Sequence, residues 1–198
     1  MADNDLHGNA PDKASAALLI VDVINDLEFP GAERLFKSAC SMAESLAEFK
    51  KRASSAGIPS IYVNDNFGRW RSSRGSLISH SLESNVRGRE IAKMLRPTSD
   101  DYFILKPKHS GFYSTPLQIL LEYLGARRLI ITGLTTDSCV MFTASDAYVR
   151  GYELYIPKDC VASIEEDSNE QTLQHMHRVL RADISASTAL DIKRLTQR

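Results

Sequence analysis

Short apolar runs alternate along this chain with longer stretches in which apolar positions recur every three or four residues. The first run is AALLIVD at 16–22. Behind it, Leu35, Ala39, Met42, Leu46 and Phe49 share one face of a predicted helix over 31–56, punctuated by Gly57 and Pro59. The runs IPSIYVN (58–64), DYFILKP (101–107), RRLIITG (127–133) and YELYIPK (152–158) predict further strands, and ADISAS (182–187) predicts a sixth. Helices are expected over 87–95, 115–124, 137–150 and 170–181. Pro97 ends the first of these, Pro116 suits the first turn of the second, and Gly151 closes the third. Continuously apolar strands separated by helices indicate a parallel sheet covered on both faces. The predicted fold class is therefore α/β, a three-layer α/β/α sandwich around a central six-stranded, mainly parallel sheet. Ligands of such sheets sit beyond the carboxyl ends of the strands. That directs attention to Asp22, to 64–66, to Lys106 and to 133–139.

Two segments break the alternation. Residues 1–15, MADNDLHGNAPDKAS, show no periodicity and predict a flexible tail ahead of one domain over 16–198. Residues 65–85 are rich in Ser, Gly and Arg with a lone Trp, and predict a long loop or lid.

Composition narrows the function classes. With 24 Lys+Arg against 25 Asp+Glu the formal net charge is −1, so no basic excess exists to hold nucleic acid or a membrane surface. No apolar run approaches the roughly 20 residues needed to span a bilayer, and the polar N-terminus does not read as a secretory signal. The three cysteines, Cys40, Cys139 and Cys160, are odd in number and widely spaced, which argues against a disulfide framework or a structural zinc site. A reducing, cytoplasmic location is the expectation.

Three residues are candidates for chemistry. Asp22 ends the first strand, where a carboxylate serves either as a turn residue or as a functional group. Lys106 ends the third strand, with Lys108 as its rival in the same segment. Cys139 enters a predicted helix, whose free N–H groups favour a thiolate and can hold an oxyanion. A buried structural thiol is the alternative, and that is the reading for Cys40 and Cys160. A Cys/His/Asn protease arrangement finds little support. His7 lies in the tail, and His175 and His177 lie on a late helix. His109 alone stands near a strand end, so Asp22 is the available base.

LLIVDVINDLEF, then LKPKHSGFYSTPL, then LIITGLTTDSCVMFTASDAY resembles the isochorismatase-like cysteine hydrolase superfamily. That group includes nicotinamidases, carbamoylsarcosine-type amidases, ureidoacrylate amidases and isochorismatases. The resemblance runs from about Ala17 to Ile184. It implies catalytic roles for Asp22, Lys106 and Cys139. Lys106 is preferred to Lys108 because the family lysine stands four residues before a step matched here by Ser110-Gly111-Phe112. It also implies a cis peptide between Leu134 and Thr135, with the amides of Thr135 and Cys139 forming an oxyanion hole.

The implied activity is a cysteine-dependent hydrolase that cleaves the C–N bond of a small amide, carbamoyl or ureido compound through a thioester. Lys106 and the helix N-terminus are expected to favour the thiolate, and Asp22 to carry its proton. Vinyl-ether hydrolysis of the isochorismatase type and a non-catalytic small-molecule-binding role are the alternatives. Nicotinamidases hold a metal with an Asp-x-His pair after the second strand. Here Asp65 is followed by Phe67 where the histidine is wanted, so no metal and no cofactor are predicted. Asn66, Phe67 and Trp70 are expected to shape the substrate pocket. Arg69, Arg71 and Arg74 suggest an anionic substrate. By resemblance the protein is a homodimer or larger homo-oligomer, with the helix at 170–181 as a possible interface.

Overall fold

The computed structural model describes residues 13–68, 71–83 and 85–197. Six parallel strands form one sheet: β1 (Ala16–Val21), β2 (Ser60–Asp65), β3 (Tyr102–Lys106), β4 (Arg128–Leu134), β5 (Glu153–Tyr155) and β6 (Val161–Ala162). The order is β3-β2-β1-β4-β5, with β6 paired to the far end of β4 through Gly133–Val161 and Leu134–Ala162. Seven α-helices accompany it: α1 (Ala32–Ser55), α2 (Arg74–Glu83), α3 (Arg89–Met94), α4 (Leu117–Leu124), α5 (Met141–Val149), α6 (Glu166–Leu180) and α7 (Ile192–Thr196).

The alternation within β1 explains the three layers. Leu18 and Ile20 pack with Leu35, Leu46 and Phe49 of α1 on one face. Leu19 and Val21 pack with Leu117 and Leu121 of α4, Ala144 of α5 and Leu173 of α6 on the other. Both faces are covered, so every β1 side chain is apolar and buried. The chain builds outward from β1 to β2 and β3, then returns to place β4 on the opposite side of β1. The crevice at that reversal, beyond the strand ends, is where an open α/β sheet binds ligands.

Four predicted elements differ. The segment 65–85 is not all loop, because α2 occupies Arg74–Glu83. Its Ser- and Gly-rich sequence has low helix propensity. A reciprocal pair starts it: the Ser73 amide bonds Ser76 Oγ at 2.8 Å and the Ser76 amide bonds Ser73 Oγ at 3.2 Å. The sixth strand is not at 182–187, where only Asp183 bridges Tyr155; it is the two-residue β6. The late helix expected over 170–181 runs longer, Glu166–Leu180, and turns Thr172, Leu173, Met176 and Leu180 into the core. Finally, Ala14 and Ser15 are tied to the body, Ala14 N–H to the Leu124 carbonyl at 3.0 Å and Ser15 Oγ to the Leu195 carbonyl at 3.1 Å. Residues 1–12 of the expected tail lie outside the described residues.

Gly133 lets β1 and β4 meet at their carboxyl ends. It pairs with Val21, has a φ of 105°, and a Cβ there would lie 2.0 Å from the Val21 carbonyl oxygen. No side chain fits that approach. Gly133→Ala is expected to destabilise the fold by about 3 kcal/mol or more in urea unfolding. Gly57→Ala, at a φ of 76° with no atom within 4 Å of its Cβ, should lose only about 1–2 kcal/mol.

Candidate active site

Asp22, Lys106 and Cys139 come together at the carboxyl ends of β1, β3 and β4. Asp22 follows β1 directly and adopts a φ of 52°, a left-handed conformation that Asp tolerates better than most residues. Its amide still bonds the Val63 carbonyl at 3.1 Å. Lys106 sits on the same sheet face as Ile104, but two strands from Asp22. The gap is roughly 9–10 Å at ordinary strand spacing, and the long lysine stem spans it. Lys106 Nζ lies 2.9 Å from Asp22 Oδ2 and 3.4 Å from Cys139 Sγ.

A second carboxylate joins the group. Asp65 is the register partner of Lys106, and its Oδ2 lies 3.4 Å from Nζ. The Asp65 amide bonds Asp22 Oδ1 at 2.6 Å. The strand ends of β1, β2 and β3 are thus joined around one ammonium that has no solvent exposure.

Cys139 lies in a π-helical turn, Thr136–Val140, that leads into α5. Such turns recur at functional sites because the widened backbone re-aims side chains. The peptide bond between Leu134 and Thr135 is cis. The turn is anchored from behind. Asp137 accepts hydrogen bonds from Ser163 Oγ at 2.9 Å and Ser168 Oγ at 2.7 Å, and Thr136 Oγ1 bonds Asn169 Oδ1 at 2.5 Å. Burial pushes the Asp137 carboxyl up, but hydroxyl hydrogen bonds from Ser168, Ser163 and Thr135 outweigh it and hold the group below the ordinary range.

The electrostatics depart from the expected thiolate. Burial, and then the Asp22 charge, push the Cys139 thiol up to about 12, and the pull of Lys106 does not offset them. The reason is charge balance. Asp22 already neutralises Lys106, and Asp65 adds a further negative charge, so a thiolate meets no net positive field. Burial likewise raises the Asp22 carboxyl, a shift that Lys106 only partly reverses. For Lys106 burial acts downward, but Asp22, Cys139 and Asp65 outweigh it and hold the ammonium above its ordinary value. The Lys106 ammonium thus sits between Asp22 and a thiol whose ionisation burial disfavours. The favourable destination for the thiol proton is Asp22, because its transfer there leaves Lys106 paired with the new thiolate.

The expected pocket residues are placed differently. Asn66 is buried, and its Oδ1 accepts from the Gly68 amide at 2.9 Å, so its side chain holds the turn after β2. Phe67 is 45% exposed and lines a cavity of about 240 Å³ with Asp26, Ser72, Ser76, Leu77, His80 and Ser81, apart from the three central residues. Trp70 and Arg69 lie outside the described residues. Arg74 donates to the Thr98 carbonyl and lies over the Phe103 ring, so its charge is used there. Among the described residues, no group of three or more His, Cys, Asp or Glu side chains is placed to hold a metal ion. No helix among them is long and apolar enough to cross a membrane.

Sequence reasoning did not give three neighbours the roles the structure suggests. Asp65 falls in the strand-end stretch 64–66 but was given a role only by comparison with metal-binding relatives; its register with Lys106 makes it a counter-charge. Asp137, two residues before the cysteine, anchors the turn. His109, three residues after Lys106, stands with Nδ1 3.8 Å from Cys139 Sγ.

Comparison with known proteins gives the class. A family model described as the isochorismatase domain matches residues 16–187. The isochorismatase family protein YaaI of Bacillus subtilis (strain 168) is 42% identical over 173 residues, covering 87% of this chain and 94% of that protein. Nicotinamidase 3 of Arabidopsis thaliana is 25% identical over 175 residues, covering 84% and 82%. The crystal structure of N-carbamoylsarcosine amidase from Thermoplasma acidophilum superposes with a TM-score of 0.67 at 26% identity, covering 89% of this chain and 99% of that one. The chain belongs to the isochorismatase family, and the nicotinamidase and the amidase among these relatives are hydrolases.

Two outcomes check the electrostatic account. Lys106→Met should destabilise the fold by about 3–5 kcal/mol, by leaving Asp22 buried without its cation. Adding Asp22→Asn should recover part of that loss in urea unfolding. The rate of Cys139 alkylation by iodoacetamide, read by mass spectrometry, should keep climbing as pH passes 9.0 toward about 12. Only above its own pKa does the thiolate fraction of a thiol level off.

Proposed function

We propose that this chain is a cysteine-dependent hydrolase that cleaves the C–N bond of a small amide, carbamoyl or ureido compound through a thioester on Cys139. The observation that carries this reading is the placement of Lys106 Nζ, 2.9 Å from the Asp22 carboxylate and 3.4 Å from the Cys139 sulfur. The named amidases among the relatives support the bond type.

The steps follow from the groups at hand. Cys139 Sγ attacks the substrate carbonyl as its proton passes to Asp22. Because the thiol resists ionisation, attack and proton transfer are concerted rather than sequential. Lys106 balances the charge that moves onto sulfur and holds the Asp22 carboxyl in line. The amides of Thr135 and Cys139 receive the oxyanion, which draws stabilisation from dipoles already fixed in the turn. The tetrahedral intermediate collapses with loss of ammonia or an amine, which takes its proton from Asp22. Water then releases the acid and restores the thiol.

A thiol nucleophile has no part in a simple vinyl-ether hydrolysis, so the retained Cys139 favours C–N cleavage over that alternative. The loop after β2 is proposed to contribute to substrate recognition, and Arg71 is the described arginine of that loop left to favour an anionic substrate.

An ammonia-release screen over small amides, carbamoyl and ureido compounds tests the activity. Cys139→Ala should abolish turnover. Asp22→Asn should lower kcat/KM about 10²–10⁴-fold, the usual contribution of a positioned acid–base group. Full turnover by either variant contradicts the scheme.

A further inference from the structure

Resting on that reading, we propose that His109 is a second catalytic group, the base that activates water for hydrolysis of the Cys139 thioester. The Cys139 sulfur has two sides. Lys106 and Asp22 close the inner side, with exposures of 0% and 6%. Both Asp22 oxygens are already engaged, Oδ1 by the Asp65 amide at 2.6 Å and Oδ2 by Lys106 at 2.9 Å. His109 is exposed and stands on the outer side, with Nδ1 3.8 Å from Sγ and 3.4 Å from Ser138 Oγ. Among the described residues it is the one imidazole recorded against this sulfur. The exposed His109 is placed to reach a water entering from solvent, whereas Asp22 is buried.

The position of the imidazole is held firmly. Its ring stacks on Phe142 of α5, with centroids 5.4 Å apart and planes 23° apart. The loop that carries it is fastened to the same helix. Ser110 Oγ bonds Asp146 Oδ2 at 2.5 Å, and the Gly111 amide bonds Thr143 Oγ1 at 3.0 Å. Gly111 leaves no room for slippage, since a Cβ there would come within 2.9 Å of Val63 Cγ1. α5 continues directly from the turn that bears Cys139, so the loop carrying His109 is fastened to the same element as the sulfur. A contact of this length in the free protein shortens readily in a reacting complex.

The step balances without a further reactant. The water oxygen attacks the thioester carbon while its proton passes to Nδ1 of a His109 ring protonated at Nε2. The carbon–sulfur bond breaks, and its electron pair stays on sulfur beside Lys106. The imidazolium then returns the proton to the sulfur, which restores the thiol and the neutral ring. The product leaves as the carboxylic acid. Asp22 serves the first half-reaction, in which its proton goes to the leaving amine, and His109 serves the second.

Pre-steady-state hydrolysis of p-nitrophenyl acetate separates the halves, because p-nitrophenolate release reports acylation and the steady rate reports deacylation. His109→Phe keeps a ring on Phe142 but removes the nitrogen, and His109→Gln removes the ring. Both variants should acylate at the wild-type rate and then turn over at least about a hundredfold more slowly. A burst of p-nitrophenolate should appear or sharpen in them, and added imidazole should restore part of the steady rate of His109→Gln. Unchanged steady rates in both variants overturn the proposal, as does an equal loss in acylation and turnover. Hydrolysis that is the same in Cys139→Ala as in wild type overturns the nucleophile reading itself. Cys139-dependent hydrolysis with unaffected variants removes only His109.

Discussion

One buried ammonium organises this molecule. Lys106 has no exposed surface, and an unpaired charge in such a place is strongly unfavourable. Its counter-charges come from the ends of the neighbouring strands: Asp22 after β1 and Asp65 at the end of β2. The parallel register that aligns Asp65 with Lys106 is therefore a condition for burying the charge. So is the left-handed turn at Asp22, which directs a carboxylate back over β2. The site and the carboxyl edge of the sheet are one construction.

That pairing also sets the chemistry. A lone lysine beside a cysteine would stabilise a thiolate. Here Asp22 and Asp65 already offset the lysine charge, and burial pushes the Cys139 thiol up. In the proposed scheme the sulfur keeps its proton until a substrate arrives and Asp22 takes it. The sulfur is held from two directions. Asp137, with Ser163 and Ser168, fixes the turn from behind. The 107–116 loop, fastened to α5, brings the imidazole of His109 to its open side. Neither support runs through the turn after β2, which touches the group instead through Asp65, its amide on Asp22 and its carboxylate on Lys106.

The sheet was legible because its strands are buried on both faces and read as unbroken apolar runs. Those runs end in the residues that matter, so Asp22 and Lys106 stood out as polar groups where burial is expected. The placement of Cys139 followed from a strand entering a helix. What stayed hidden has physical causes. β6 is two residues long and carries no period. α2 is held by a Ser–Ser cap and the burial of Leu77 and Ser81 rather than by propensity, which composition alone reads as loop. The raised Cys139 thiol was not foreseen, because the sequence shows which charges are present but not that both Asp22 and Asp65 face Lys106. The roles of Asp65 and His109 depend on register and loop docking, which short-range patterns do not report.

The central claim is that the sulfur of Cys139 becomes covalently bonded to the acyl part of an amide substrate. Acid quenching during turnover, followed by proteolysis and mass spectrometry, tests it most directly. The account predicts an acyl adduct on the peptide containing Cys139, absent from Cys139→Ser. Product formation with that peptide unmodified throughout, or an adduct confined to Cys40 or Cys160, would contradict it.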